Sequence, residues 1–273
     1  MVGQKVPYAY NVSVEIRRML TPVRLILYVL FCAYPFVYLA FAHSAYSLSD
    51  WLDLFTFMLD VIPMVGFAIA AVAVYDVAFS ETLNHRFLIY ERIRMPLGKL
   101  LKIKLTANVV LSFAALAVPV LLCFIAAYIV IPHYGWIEFF PNTFGSIDES
   151  ARNQEQAARH TMNQLLVYGE WVYGVACAGW VGLNAALYAT FGFLLLLVIQ
   201  RSFIALSIPF LLYMVGSFLM PDRRFYFFDS VFPFNAVQQP MWVMFVPFSF
   251  ILLCCAALTL YIYLFKEKVN RLL

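Results

Sequence analysis

The stretch WVYGVACAGWVGLNAALYATFGFLLLLVI, residues 171–199, carries no charged side chain from end to end. A helix rises about 1.5 Å per residue, so a stretch of this length covers the roughly 30 Å of hydrocarbon in a bilayer. Five other stretches read the same way: 25–42, 54–79, 105–131, 203–220 and 241–265. Together they predict an all-α polytopic membrane protein with six transmembrane helices, built as a single domain over residues 1–273.

The composition agrees. The chain is 64% hydrophobic, 18% aromatic and 12% charged, with a mean hydropathy of +0.84; an ordinary soluble domain has about 25% charged residues. A net charge of +3 is too small to suggest nucleic acid as a partner. The first apolar stretch follows a polar leader containing Glu15, Arg17 and Arg18, and no short apolar core with a small-residue cleavage site precedes it, so the first span is expected to remain in the mature protein. Cys32, Cys123, Cys177, Cys254 and Cys255 all fall within apolar stretches, without metal or redox spacing, and read as packing residues.

The bases set the expected orientation. The leader (Lys5, Arg17, Arg18, Arg24), the second connection (Arg86, Arg92, Arg94, Lys99, Lys102, Lys104), Arg201 in the fourth and the tail (Lys266, Lys268, Arg271) hold fourteen Lys and Arg. The opposite side holds four: Arg152, Arg159, Arg223 and Arg224. Both termini are therefore expected in the cytoplasm, with the chain integral to a plasma membrane, bacterial cytoplasmic by preference.

Three features stand out on this topology. Residues 8–22 place Val12, Ile16, Met19 and Leu20 on one face, beside Asn11, Glu15, Arg17 and Arg18, which predicts an amphipathic helix on the inner interface before the chain turns in at Pro22. The connection 80–104 starts with Ser80 and Glu81 as a helix start and spaces Phe87, Tyr90, Ile93 and Leu97 at helical intervals among Arg86, Glu91, Arg92 and Arg94; Pro96 and Gly98 then break the pattern. Such a surface helix either docks a soluble partner or serves as a solvated topology anchor. The fourth span carries Gly174, Ala178, Gly182, Ala186 and Thr190 at every fourth position, a ridge of small side chains that lets another helix approach closely, within the chain or in a second copy.

The arrangement resembles the permease subunit of an ABC transporter of the ABC-2 (type V exporter-like) group. The likeness covers nearly the whole chain as architecture and is sharpest at Phe79-Ser80-Glu81, Arg94-Met95-Pro96-Leu97-Gly98-Lys99 and Lys104, which resemble the family's acidic turn, proline break and basic entry into the third helix. The chain departs from that pattern at Asn84-His85, where the family commonly has a glycine. The resemblance implies that Ser80, Glu81, Arg86, Phe87, Tyr90, Glu91, Arg92 and Arg94 form a coupling helix for a separate ATPase subunit. It also implies two permease copies or homologous permeases and two ATPases. No G-x-x-x-x-G-K-[ST] sequence occurs in the chain, so ATP and Mg²⁺ would be bound by the partner and no cofactor by this chain.

Two outer segments remain open in role. The connection 132–170 has Ala157, Ala158, Met162, Leu165 and Leu166 as the apolar face of a short extracellular helix, a cap or a rim. Residues 221–240 gather Phe225, Tyr226, Phe227, Phe228, Phe232 and Phe234 around Asp229 and Pro233. They form an interfacial aromatic belt or, by the resemblance, a re-entrant hairpin.

Catalysis finds little support. There is no H-E-x-x-H; His43, His85, His133 and His160 lie in connections, and no metal or catalytic set is expected. Asp60 and Asp76 share the second span but stand about 24 Å apart at sixteen residues' separation, too far to share a proton. Each is expected to be hydrated at a membrane boundary, with a polar pathway site or a pair with Arg24 as the alternative. The spans are otherwise almost free of charge, which disfavours a buried ion relay and favours an amphipathic or lipid-like cargo moved by outside energy. The sequence thus predicts an ATP-driven exporter permease, not itself an enzyme; the alternative is a non-transporting membrane assembly subunit that docks a soluble partner through the same connection.

Overall fold

A computed structural model describes residues 10–42, 46, 48, 50–60, 66–84, 95–137, 139, 161–222, 225–233 and 240–265. The polar leader folds as α1 (Val12–Met19), capped by Asn11, whose side chain accepts from the Val14 amide (3.1 Å), with Glu15 in the first turn and Arg17 and Arg18 in the last. Each sign of charge lies at the helix end where the backbone dipole favours it. The first span, α2 (Pro22–Ala42), begins at Pro22, where the chain is expected to turn in, three residues before the apolar stretch 25–42.

Five helices are long and apolar enough to cross a membrane, and a sixth crossing is available as a bent pair. Among the described residues there is no strand. The bent pair is where sequence and structure part. The second stretch, expected as one span over 54–79, is α3 (Trp51–Leu59), α4 (Phe67–Ala73) and α5 (Asp76–Asn84), with α4 and α5 meeting at 48°. Asp60 ends α3, its amide donating to the Phe57 carbonyl (3.3 Å). At the bend a side chain from the next span reaches the backbone: Ser112 Oγ lies 3.2 Å from the Ala71 carbonyl, and insertion of a polar group beside the ladder is a recognised cause of a kink.

The third span also differs from its expected limits. Helix α6 (Leu97–Ile125) continues through a π-helical stretch, Ala126–Val130, into α7 (Ile131–Tyr134), which ends at Gly135 in a left-handed conformation (φ 61°). Pro96 stands immediately before α6, its carbonyl accepting from the amides of Lys99 and Leu100, where a proline removes no helical hydrogen bond; the connection helix it is expected to end runs into residues 85–94, outside the described residues. Gly98 sits inside that first turn. Ser80 and Glu81 do not start a helix either; they lie in α5, which outlasts the apolar stretch.

The fourth span, α8 (Glu170–Val198), is the hub, packed against α4, α5, α6, the fifth span α9 (Ser202–Leu219) and the sixth, α11 (Phe245–Leu264). Its small ridge faces α6 of the same chain. A Cβ on Gly174 would stand 2.5 Å from the Phe124 ring, and one on Gly182 2.9 Å from Phe113 and Ala117. Ala178 and Ala186 are buried in the same row. Close backbone approach is what such ridges provide where lipid offers no hydrophobic drive between helices.

On the side of the Glu170 end, a 3₁₀ helix, Thr161–Tyr168, buries Met162 against Cys177 (3.8 Å); Ala157 and Ala158 lie outside the described residues. The aromatic segment contains α10 (Phe227–Val231), between α9 and α11. Phe227 and Phe232 are buried, and Trp180 Nε1 donates to the Ser230 carbonyl (2.7 Å). Trp180 lies ten residues into α8, about 15 Å along its axis. The segment therefore enters the bundle, and its buried rings are core rather than a surface belt.

Candidate functional site

Polar side chains in an apolar bundle are the natural place to look for function, and five of the buried ones, Glu15, Asp76, Lys104, Asn108 and Ser112, gather around the bend of the second span. On α6, Lys104, Asn108 and Ser112 recur every four residues, so they form one stripe along the helix. All three are buried, and they face Tyr75 and Asp76, the residues at and just after the bend.

The lower half of the site is built on Glu15. The α1 helix presents this carboxylate inward, at 0% exposure. Oε1 accepts from Tyr75 Oη (2.7 Å) and from Lys104 Nζ (3.2 Å), Oε2 accepts from Tyr10 Oη, and Arg18 Nη1 stands 3.9 Å from Oε2. The helix does not lie on the interface with all its charges toward water, as its pattern suggests: its one acid is drawn inside because Lys104 is itself buried and needs a counter-charge. Burial alone raises the pKa of the Glu15 carboxyl, but the adjacent Lys104 ammonium and the hydrogen bonds from Tyr10, Tyr75 and Lys104 outweigh it and hold the group below the ordinary glutamate range.

The upper half is built on Asp76, at 0% exposure. Its Oδ1 accepts from Asn108 Nδ2 (3.0 Å), whose second proton reaches the Ala189 carbonyl on α8 (3.1 Å). Ser112 Oγ is within 3.2 Å of both Asn108 Oδ1 and the Ala71 carbonyl, and its single proton serves one of them at a time. Oδ2 of Asp76 has no hydrogen-bond partner among the described residues. It occupies space that only a glycine on α8 leaves open: a Cβ on Gly192 would be 2.6 Å from it. The carboxyl also lies in the first turn of α5, where the helix dipole favours negative charge. Asp76 is thus not hydrated at a boundary; three helices enclose it.

The other expected residues scatter. Asp60 is exposed at the end of α3. Arg24 pairs with neither acid, its Nη1 lying 3.2 Å from the carbonyl and the sulfur of Met19. Ser80 is buried, donating to the Val77 carbonyl (2.6 Å), and Glu81 is exposed. Arg86, Phe87, Tyr90, Glu91, Arg92 and Arg94 lie outside the described residues. Just before them, Asn84 Oδ1 accepts from Ser202 Oγ (2.9 Å), which ties the end of α5 to the start of α9.

Sequence reasoning passed over Glu15, Tyr75, Asn108, Ser112 and Gly192. One signal for them was present: the spacing Lys104-x₃-Asn108-x₃-Ser112 at the head of an otherwise apolar span, a polar face that must meet polar partners.

Among the described residues no group of His, Cys, Asp and Glu could hold a metal ion. What the site offers chemically is a locked arrangement of one ion pair and one amide–carboxyl pair, joining α1, the bent span, α6 and α8. No family model matches the chain, and no curated protein or solved structure matches it.

Proposed function

We propose that the chain is the membrane permease subunit of an ATP-driven exporter of the ABC-2 kind, offering a path to an amphipathic or lipid-like substrate and drawing work from a separate ATPase at its basic connection. The observation that carries this reading is the Glu15–Tyr75–Lys104 cluster. It clamps the amphipathic α1 to the bent second span and the head of the third, the two helices that the connection joins.

The mechanical consequence follows from the links already described. A load applied between Asn84 and Leu97 passes into α5 and α6, which are bonded to each other through Asp76 and Asn108, to α1 through Glu15, and to α9 through Asn84 and Ser202. Four elements then move together. The bend at residues 74–75 is where such a movement would be absorbed, because no regular helix joins α4 to α5 there. In the exporter reading two copies, each with its ATPase, face one another, and the termini are cytoplasmic.

The test is recovery of the tagged protein from its native membrane in mild detergent, comparing wild type with a chain carrying Arg86→Glu, Arg92→Glu and Arg94→Glu. An ATPase subunit accompanies wild type and is lost from the folded variant if the connection is the coupling element. If no ATPase accompanies wild type, the exporter reading fails. The complete burial of Asp76, Asn108 and Ser112 favours a second reading, a non-transporting assembly subunit that docks a different soluble partner; substrate-stimulated ATP hydrolysis separates the two.

A further inference from the structure

The first span stands apart from the rest of the bundle. Only 11% of its apolar window is buried, and Val23, Ile26, Leu27, Val29 and Leu30 are exposed. Between α2, α4 and α6 this leaves a cleft of about 470 Å³, within the range of small-molecule sites. Its floor is made of small side chains, Ala70, Ala114 and Ala115, and its wall of Tyr28 and Phe31. Tyr28 bridges the two sides, its hydroxyl donating to the Ala114 carbonyl (3.4 Å). Ala114 is exposed, so the cleft opens on the outer surface of the bundle, which faces hydrocarbon wherever the helices cross a bilayer.

The mouth carries the charge. Arg24 lines one end, in the first turn of α2, and no carboxylate among the described residues pairs with it. A cation there adds to the positive end of the helix dipole instead of opposing it, so the local field favours an anion. The Met19 carbonyl and sulfur hold one guanidinium nitrogen in place, leaving the other donors of a planar fork suited to a phosphate. Arg24 and Phe31 are two helical turns apart, about 10 Å, which is the reach of an acyl chain segment below its head group.

We infer that this cleft is a binding site for an anionic phospholipid, with one acyl chain against Ala70, Ala114 and Phe31 and the phosphate on Arg24. The charge selects the class: a zwitterionic head group brings its own cation toward Arg24, whereas an anionic one does not. This inference stands whether or not the chain exports anything.

The experiment uses the full-length protein in detergent micelles with equal amounts of phosphatidylglycerol and phosphatidylcholine, and counts retained lipids by native mass spectrometry. Wild type retains phosphatidylglycerol by roughly fivefold over phosphatidylcholine, the scale of one base at an anionic surface. Arg24→Gln brings the ratio close to parity, and Arg24→Lys keeps part of it. Ala114→Leu fills the cleft and lowers retention of phosphatidylglycerol with Arg24 intact, so the proposal can be tested even if one variant does not fold. Thermal unfolding midpoints identify the folded variants. Equal retention by wild type, or an unchanged ratio in folded Arg24→Gln together with unchanged retention in folded Ala114→Leu, overturns the proposal. So does displacement of the bound lipid by glycerophosphoglycerol at matched concentration, which would make this a soluble-anion site.

Discussion

Lys104 Nζ stands 3.2 Å from Glu15 Oε1, with both side chains essentially removed from solvent and 89 positions apart in the chain. A buried ion pair of this kind is weak evidence for net stability, because each ion gives up its hydration, but breaking it from one side is costly. Its value lies in specificity: it dictates which face of α1 turns inward and where along the third span the helix docks.

Glu15→Gln is therefore expected to destabilise the protein by about 3–5 kcal/mol, since Lys104 is left buried without its counter-charge. Lys104→Met alone is similarly harmful, and the double variant Glu15→Gln, Lys104→Met recovers much of the loss. Thermal or denaturant unfolding of the four chains in one detergent checks this; simple additivity of the two losses would show that the pair is not coupled.

Acid should loosen α1 through the same carboxyl. Its folded-state value is lowered, so its contribution to stability is fully present above the ordinary glutamate range. It is lost as pH falls from that range through the folded value. Stability measured across neutral pH is expected to show no slope from Glu15, with a decline only in more acidic solution, and Glu15→Gln should remove that part of the decline. A pH series of unfolding midpoints for the two chains reads it directly.

Gly192→Ala should destabilise by roughly 1–3 kcal/mol, the usual cost of overpacking, because its new methyl would fall 2.6 Å from Asp76 Oδ2. Asp76→Ala in the same chain removes the obstructing oxygen and should offset part of the effect. A double-mutant cycle on unfolding midpoints tests whether the two positions share one space.

The small ridge on α8 packs on α6 within one chain, so Gly182→Leu should lower stability while leaving oligomeric state unaltered. Its Cβ alone would come within 2.9 Å of Ala117 and Phe113. Size-exclusion with light scattering, beside an unfolding midpoint, separates the two effects: a change of mass without loss of stability would place the ridge between copies instead.

Trp180→Phe deletes the hydrogen bond to the Ser230 carbonyl and should cost about 1 kcal/mol, more if that carbonyl is left without a partner. The local consequence is looser seating of α10. Ser230 is buried, and in Ser230→Cys the new thiol should react faster with a membrane-permeant maleimide when Trp180 is also replaced.

The positions of the apolar helices, the start of α2 at Pro22 and the amphipathic pattern of α1 were legible in the chain, because each depends on local composition against a bilayer of known thickness. The fourth span is the clearest case: expected over 171–199, it is found at Glu170–Val198. Helix ends and breaks were less legible. The third span starts at Leu97, eight residues before its apolar stretch, because Pro96 is harmless ahead of a first turn and Lys99, Lys102 and Lys104 continue the helix. At the bend after Ala73 the Ser112 hydroxyl meets the Ala71 carbonyl, forty-one residues earlier, a contact that local composition does not encode.

What the sequence alone determined is that this is a helical protein whose apolar segments match a membrane, with an amphipathic leader that carries one acid among its bases. Which of those charges meet was decided only by tertiary structure. Glu15 could satisfy itself in water as readily as against Lys104, and Asp76 read as a boundary residue by its depth in one span. Packing of α6 against α1 buries Glu15, and packing of α6 and α8 around the bend buries Asp76; in a medium of low polarity each must then find its partners among the few donors within reach.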